Sequence, residues 1–403
     1  MSLDRRQFLA ASAVLSPMLI AGRAFAAPAA GSRLLVVFLR GGYDAANIVA
    51  PTGSDFYHSA RPNIALAKPN PSDPNAALEL NADWSLHPAL RESIYPLWQK
   101  KQIAFIPFAG TDDMTRSHFE TQDTVELGQP VGGHRDYRSG FMARLAETLG
   151  KDRPISFTDQ LPLCFRGGPI IPNVGLAAVG SKPAVPAQDA ALIAQMYQGQ
   201  RSGSVDLGNS VAQGFQVRDE VFKTSAEMEE ANRGAVSPKG FELSARRIGR
   251  LMRDQFNLAF VDVGGWDTHV NQGGAQGYLA SHIAELGRGL VGLADELGPQ
   301  AWRKTTVVVI SEFGRTFHEN GDKGTDHGHG SIYWVLGGGV NGGRIAGPQD
   351  PITPDALNQS RDLPVLTDYR AMIGGLVGRQ FSLAGDRLAT IFPESKPADL
   401  SLI

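Results

Sequence analysis

An α/β fold, with a mainly parallel sheet and helices on both of its faces, is predicted from three observations. Short apolar runs rich in β-branched and aromatic residues recur along the chain, segments with helical spacing lie between them, and the residues just past the runs are unusually polar.

The chain opens MSLDRRQFLAASAVLSPMLIAGRAFAAPAA. Arg5-Arg6, the following Phe8-Leu9, an apolar run to Ile20 and the small-residue site Ala24-Phe25-Ala26 predict a twin-arginine export leader over residues 1–26. Its apolar run of about a dozen residues, broken by Ser16-Pro17, is too short to stay in a bilayer as a helix. The expected partner is the twin-arginine translocase, the expected location is periplasmic or extracellular, and residues 27–403 form the expected mature domain. Export after folding suits a protein that must first acquire a metal. No later stretch is long and apolar enough to span a bilayer, so no stable membrane insertion is expected.

The formal charge is −3; Arg5, Arg6, Arg23 and Asp4 of the leader carry a net +2, which leaves −5 for the remainder. That balance offers no electrostatic footprint for nucleic acid or an anionic membrane. The single cysteine, Cys164, has no disulfide partner within the chain, so the core must hold the fold.

RLLVVFL (33–39), QIAFIPF (102–108), NLAFVDV (257–263) and TTVVVIS (305–311) predict buried parallel strands, and SIYWVLGGG (331–339) predicts a fifth strand ending in glycines. SPKGFELSARRIGRLMRDQF begins with a Ser-Pro helix start. YLASHIAELGRGLVGLADELG sets Leu279, Ile283, Leu286, Leu290, Leu293 and Leu297 at helical spacing before a glycine stop. Residues 151–236, with GGPIIPNVGLAAVGSKPAVPAQD and GQRSGSVDLGNS, lack this alternation and are expected as an insertion or cap over the sheet.

Ligands of open α/β sheets bind outside the carboxyl ends of the strands. Arg40-Gly41-Gly42-Tyr43-Asp44 follows the first run and AGTDDMTRSHFETQD ends the second. DVGGWDTHVNQ, with Asp262, Asp267 and His269, ends the third, and Ser311-Glu312-Phe313-Gly314-Arg315 ends the fourth. Asp326, His327 and His329, in GTDHGHGS, precede the fifth. Carboxylates gathered on one edge repel one another unless cations sit among them, and His with Asp or Glu is a ligand set for zinc or manganese. One or two divalent ions are therefore expected, with Asp44, Asp262, Asp267, His269, Glu312, Asp326, His327 and His329 as candidate ligands. Simpler roles stand beside these: Asp44 or Asp267 as helix caps, and Ser117 with Glu120 as a capping box. His118 and His134 read as surface residues, and His58, His87, His282 and His318 as structural or solvated.

LVVFLRGGYDAANIVAP, TRSHFETQD, GGWDTHVNQ, SEFGRT and GTDHGHGSIYWVLGGGVNGGRIAG, behind a twin-arginine leader, resemble the domain-of-unknown-function 1501 family over nearly the whole mature chain. That family is regarded as a distant branch of the alkaline-phosphatase-like superfamily of phosphatases and sulfatases, whose members hold two divalent ions beside a Ser, Thr or formylglycine nucleophile. The resemblance implies an alkaline-phosphatase-like fold. It also implies a metal role for Asp44 and a nucleophile at Ser117, with Thr115 as the alternative. The five-residue spacing of Asp262 and Asp267 is similar to the superfamily's acidic pair, although the usual His four positions on is Asn271 here and His269 stands at plus two. Glu312-Phe313 replaces the usual Asp-His, which either empties one metal site or leaves Asp326-His327 of the next loop to supply it, and His327 or His329 resembles the late metal His. The formylglycine motif is absent, since Cys164 lies in LCFRGG.

The function so implied is an exported, metal-dependent hydrolase of a phosphate or sulfate ester. Ser117 would attack, while Arg315, or else Arg116 or Arg40, would clamp the ester oxygens unless these arginines pair with nearby acids. The rival reading is an exported, catalytically inactive binding or assembly protein that keeps the fold.

Overall fold

The computed structural model of the chain describes residues 31–150, 152–176, 187–202, 205–212, 214–215 and 240–403. The expected leader and the Ser-Pro helix start lie outside the described residues, as does much of the 151–236 segment.

Each apolar run forms a strand. β1 (Arg33–Leu39), β2 (Ile103–Gly110), β3 (Pro154–Phe157), β4 (Leu258–Val263), β5 (Thr305–Ser311), β6 (Ser331–Leu336), β7 (Arg344–Ile345) and β8 (Thr367–Asp368) make one eight-stranded sheet. Its order is β7-β2-β6-β5-β1-β4-β3, with β8 also paired to β2. Every pairing is parallel except those of β6, which runs antiparallel to both β5 and β2.

The reversal of β6 decides where the site can form. Residues that precede a parallel strand sit at the opposite edge from those that follow one. Because β6 runs backwards, the loop 312–330 leaves the carboxyl edge at the end of β5 and returns to that same edge before β6.

α1 (Asp55–Ala60), α2 (Ile94–Gln99), α3 (His118–Leu127), α4 (Phe141–Leu149), α5 (Ala187–Met196), α6 (Phe241–Asp254), α7 (Tyr278–Trp302) and α8 (Tyr369–Phe381) complete the frame used below. Side chains alternate across a strand. Leu35, Val37, Leu39, Val307 and Val309 therefore pack with Ile248 and Leu251 of α6 and Leu286 and Leu290 of α7 in one core. Leu34, Val36, Phe38, Val308 and Ile310 pack with Met142 and Leu145 of α4 and Met372 and Ile373 of α8 in the other. The sheet is thus covered on both faces. The expected glycine stop is present inside α7, where Gly298 at φ 70° interrupts the helical path ahead of Pro299.

The segment 151–236 needs a correction at its start. Pro154–Phe157 pairs with β4 as the edge strand β3, so this part belongs to the sheet. Its four residues were too short a run to read as a strand. Among the described residues, no helix is long and apolar enough to cross a membrane.

Candidate metal centre

Past the ends of β5 and β6 the chain continues as a narrow ribbon. Gly314 N–H donates to His329 O at 2.9 Å, Gly328 N–H to Gly314 O at 2.9 Å and Thr316 N–H to Asp326 O at 2.9 Å. The backbones approach so closely that a Cβ on Gly314 would meet Gly330 O at 2.0 Å, and one on Gly328 would meet Arg315 C at 2.4 Å. These glycines fix the ribbon, and the ribbon sets His327 opposite Arg315.

Three segments bring side chains to this ribbon: the loop after β2 with the first turn of α3, the loop after β4, and the ribbon itself. His118 Nε2 lies 3.0 Å from His327 Nε2, and His269 Nε2 lies 3.1 Å from the same atom. Asp267 Oδ1 is 2.8 Å from His269 Nε2 and 3.3 Å from His327 Nε2, while Asp267 Oδ2 is 3.5 Å from His118 Nε2. His118, Asp267 and His327 each offer an atom within 4.8 Å of the other two. His269 stands at the margin of that trio, reaching it through Asp267 and His327.

The far side of each ring fixes its tautomer. His118 Nδ1 faces Glu312 Oε1 at 2.8 Å, His269 Nδ1 faces Asp326 Oδ1 at 3.2 Å, and His327 Nδ1 faces the Arg116 carbonyl at 3.0 Å. All three partners are acceptors, so each Nδ1 carries the hydrogen and each neutral ring turns an Nε2 lone pair toward the others. A carboxylate and three lone pairs at 2.8–3.5 Å have no donor among them except Arg315 Nη2, which lies 2.6 Å from Asp267 Oδ1. In a tetrahedral zinc site with bonds of about 2.0–2.1 Å, neighbouring ligand atoms lie about 3.3 Å apart. The donor set and its spacing fit a divalent cation, and the carboxylate and carbonyl behind the rings are the outer partners such ligands use.

Electrostatics agree with the hydrogen bonds. Burial pushes the Glu312 carboxyl up, but hydrogen bonds from His118, Gln122 and the Gly41 N–H hold it below the usual carboxylate range. The Glu312 bond raises the His118 pKa against the effect of burial, while burial, His118 and Arg315 lower that of His327.

Of the candidate ligands, Asp267, His269 and His327 meet, and five do not. Asp44 is buried and accepts from Arg61 Nη1 at 2.6 Å, Arg61 Nη2 at 3.0 Å and Gln272 Nε2 at 2.6 Å, and it makes no side-chain cap bond. Asp262 accepts from Arg40 Nε at 2.6 Å. Glu312 and Asp326 stand behind His118 and His269 rather than beside the cation position. His329 is buried, with Asp362 and Arg116 as its charged neighbours, and is not among the grouped ligand atoms. The Arg315 side chain has no exposed surface and meets Asp267, so it positions that acid and is not open to clamp a substrate; its Nε and Nη1 have no protein partner among the described residues. Arg116 and Arg40 are likewise paired, with Asp362 and with Glu126 and Asp262. Ser117 caps α3, its Oγ accepting from Glu120 N–H at 3.5 Å.

The residue that sequence reasoning missed is His118. Its local context, SHFETQ, reads as an exposed helix start. The available signal was periodic: His118, Gln122 and Glu126 recur every four residues, which places three polar groups on one face of α3.

Residues 31–392 match the family described as Protein of unknown function (DUF1501), and the chain belongs to that family. No curated protein matches it. Among solved structures, Ps i-CgsB is similar over 92% of this chain and 75% of its own, at 10% identity and TM-score 0.38. The same protein in complex with k-i-k-neocarrahexaose gives 9% and 0.37 over the same shares. A likeness this low says nothing of this chain's substrate.

Proposed function

We propose that this family member is a metal-dependent hydrolase of a phosphate or sulfate ester, built on an alkaline-phosphatase-like sheet, and that His118, Asp267 and His327, with His269 beside them, hold one divalent cation, zinc or manganese. The observation that carries the reading is the meeting of three Nε2 lone pairs, each with its tautomer fixed from behind, on one half-exposed carboxylate. When bound, the cation supplies a Lewis acid for the ester oxygens and lowers the pKa of an attacking hydroxyl or water. Arg315 holds Asp267 in place, and Glu312 orients His118 from a buried position. Ser117 remains the proposed nucleophile: it lies between Arg116, whose carbonyl holds His327, and His118 itself. In the same reading the leader exports the folded, metal-loaded chain through the twin-arginine translocase to the periplasm or beyond.

Elemental mass spectrometry on protein purified without chelator tests the centre. About one zinc or manganese per chain, absent from His118→Ala and His327→Ala, is the expected result; a metal-free wild type would sink the proposal. A panel of phosphate and sulfate monoesters then tests turnover, with Ser117→Ala abolishing it. The rival, a non-catalytic exported binding or assembly protein, draws on the engagement of Asp44 and Asp262 with arginines, which leaves a second metal position without its acids. Bound metal with no turnover of any ester would select it.

A further inference from the structure

We infer that the carboxyl edge carries a second binding site: a pocket of about 420 Å³ between β4, β3 and α3 that takes an uncharged, hydroxyl-rich group such as a sugar ring. As the alcohol half of the ester, this group rests on the hydrolase reading above; as a binding site, the pocket stands without it. Its volume falls in the range of about 300–1,000 Å³ common to small-molecule sites.

α3 joins the two sites. His118, Gln122 and Glu126 share one face, and the eight steps from the first to the last cover about 12 Å at 1.5 Å per residue. Gln122 Nε2 donates to Glu312 Oε1 at 2.8 Å, one bond behind His118, and Gln122 Oε1 accepts from Arg40 Nη1 at 2.8 Å. Arg40 also donates to Glu126 at 2.8 Å and to Asp262 at 2.6 Å. The inner wall is thus fixed before any ligand arrives. On the outer wall, Asp159 and Arg166 are exposed and have no side-chain hydrogen bond or ion pair among the described residues.

The composition selects the ligand. Three acids against two arginines give the lining a slight negative excess, which disfavours a second anionic group and directs the charged end of a substrate to the cation. Apolar lining is confined to Leu161, Pro162 and Leu163, with no aromatic face or long slot for an acyl chain. Free carboxylate, guanidinium and amide groups remain. A hydroxyl donates and accepts at once, and adjacent hydroxyls match the paired atoms of carboxylate and guanidinium.

Saturation-transfer NMR on the mature chain, with methyl glucoside, methyl galactoside, methyl N-acetylglucosaminide and inositol as probes at millimolar concentration, tests this. At least one is expected to show transfer, to lose it in Asp159→Ala and in Arg166→Ala, and to keep it in His327→Ala and after chelation. No transfer from the whole panel, or transfer indifferent to Asp159 and Arg166, overturns the inference. Sugar binding in a protein that turns over no ester would leave the pocket standing and remove the hydrolase reading.

Discussion

Asp44 and Asp267 follow neighbouring strands, β1 and β4, and each accepts a hydrogen bond from an arginine at 2.6 Å. Asp44 is fully buried, and donors from Arg61 and Gln272 answer both its oxygens. The Asp267 side chain is 45% exposed, and apart from Arg315 it faces imidazole lone pairs. Residue type and position at the sheet edge are the same. The difference lies in donors counted against acceptors: matched donors make Asp44 a structural acid, and a surplus of acceptors around Asp267 is what the proposed cation would answer.

The largest effect should come from opening the closed side. Asp44→Ala strands the buried Arg61 guanidinium and should cost about 3–5 kcal/mol in denaturant unfolding. A loss below about 1 kcal/mol would mean that Asp44 is not the structural partner described here.

His87 tests the closed class with a different residue. Its Nδ1 accepts from Ala89 N–H at 3.0 Å, its Nε2 faces Gly274 O at 3.0 Å, and burial lowers its pKa to about 4. Below the ordinary value of about 6.5 the unfolded chain takes up a proton that the folded chain refuses. Stability contributed by neutral His87 is therefore complete above that pH and falls by about 3 kcal/mol as pH drops toward 4. Unfolding midpoints measured across this window should lose that slope in His87→Asn.

On the open side, Glu312→Gln removes the charge behind His118 and should weaken metal binding about 10–100-fold in a chelator competition. An unchanged affinity would detach Glu312 from the centre. The smallest effect on stability belongs to Ser117→Ala, about 0.5 kcal/mol for a long cap bond. Metal content should not change; a loss of metal would make Ser117 part of the cation site instead of a neighbour to it.

Much of this frame was legible in the sequence, because buried strands announce themselves as unbroken apolar runs. Direction was not, since SIYWVL reads the same whether its strand runs with or against its neighbours; that reversal is what returns His327 to the carboxyl edge. At the site, Asp267, His269 and His327 were legible from type and placement. The pairing of Asp44 was not legible, because its guanidinium partner comes from Arg61, beyond a turn and a short helix. The surroundings of Glu312 were hidden for a related reason: the sequence shows an acid at a strand end, but not that Gly41, Gln122 and His118 would enclose it.

The ribbon between β5 and β6 has one more consequence. Its tip, Gly321-Asp322-Lys323, is exposed at its side chains, the Asp322 and Lys323 carbonyls accept from Asn271 N–H at 2.8 Å and Gln272 N–H at 3.1 Å in the loop after β4, and its arms are tied to each other and then to the sheet. A protease cut at that tip would give two polypeptides, one ending beyond Arg315 and one beginning before His327, with every group of the cluster still present. Fragments ending and starting there, expressed separately, are suited to reassembly on the shared sheet, which makes the tip a natural place to split the protein or insert a reporter domain.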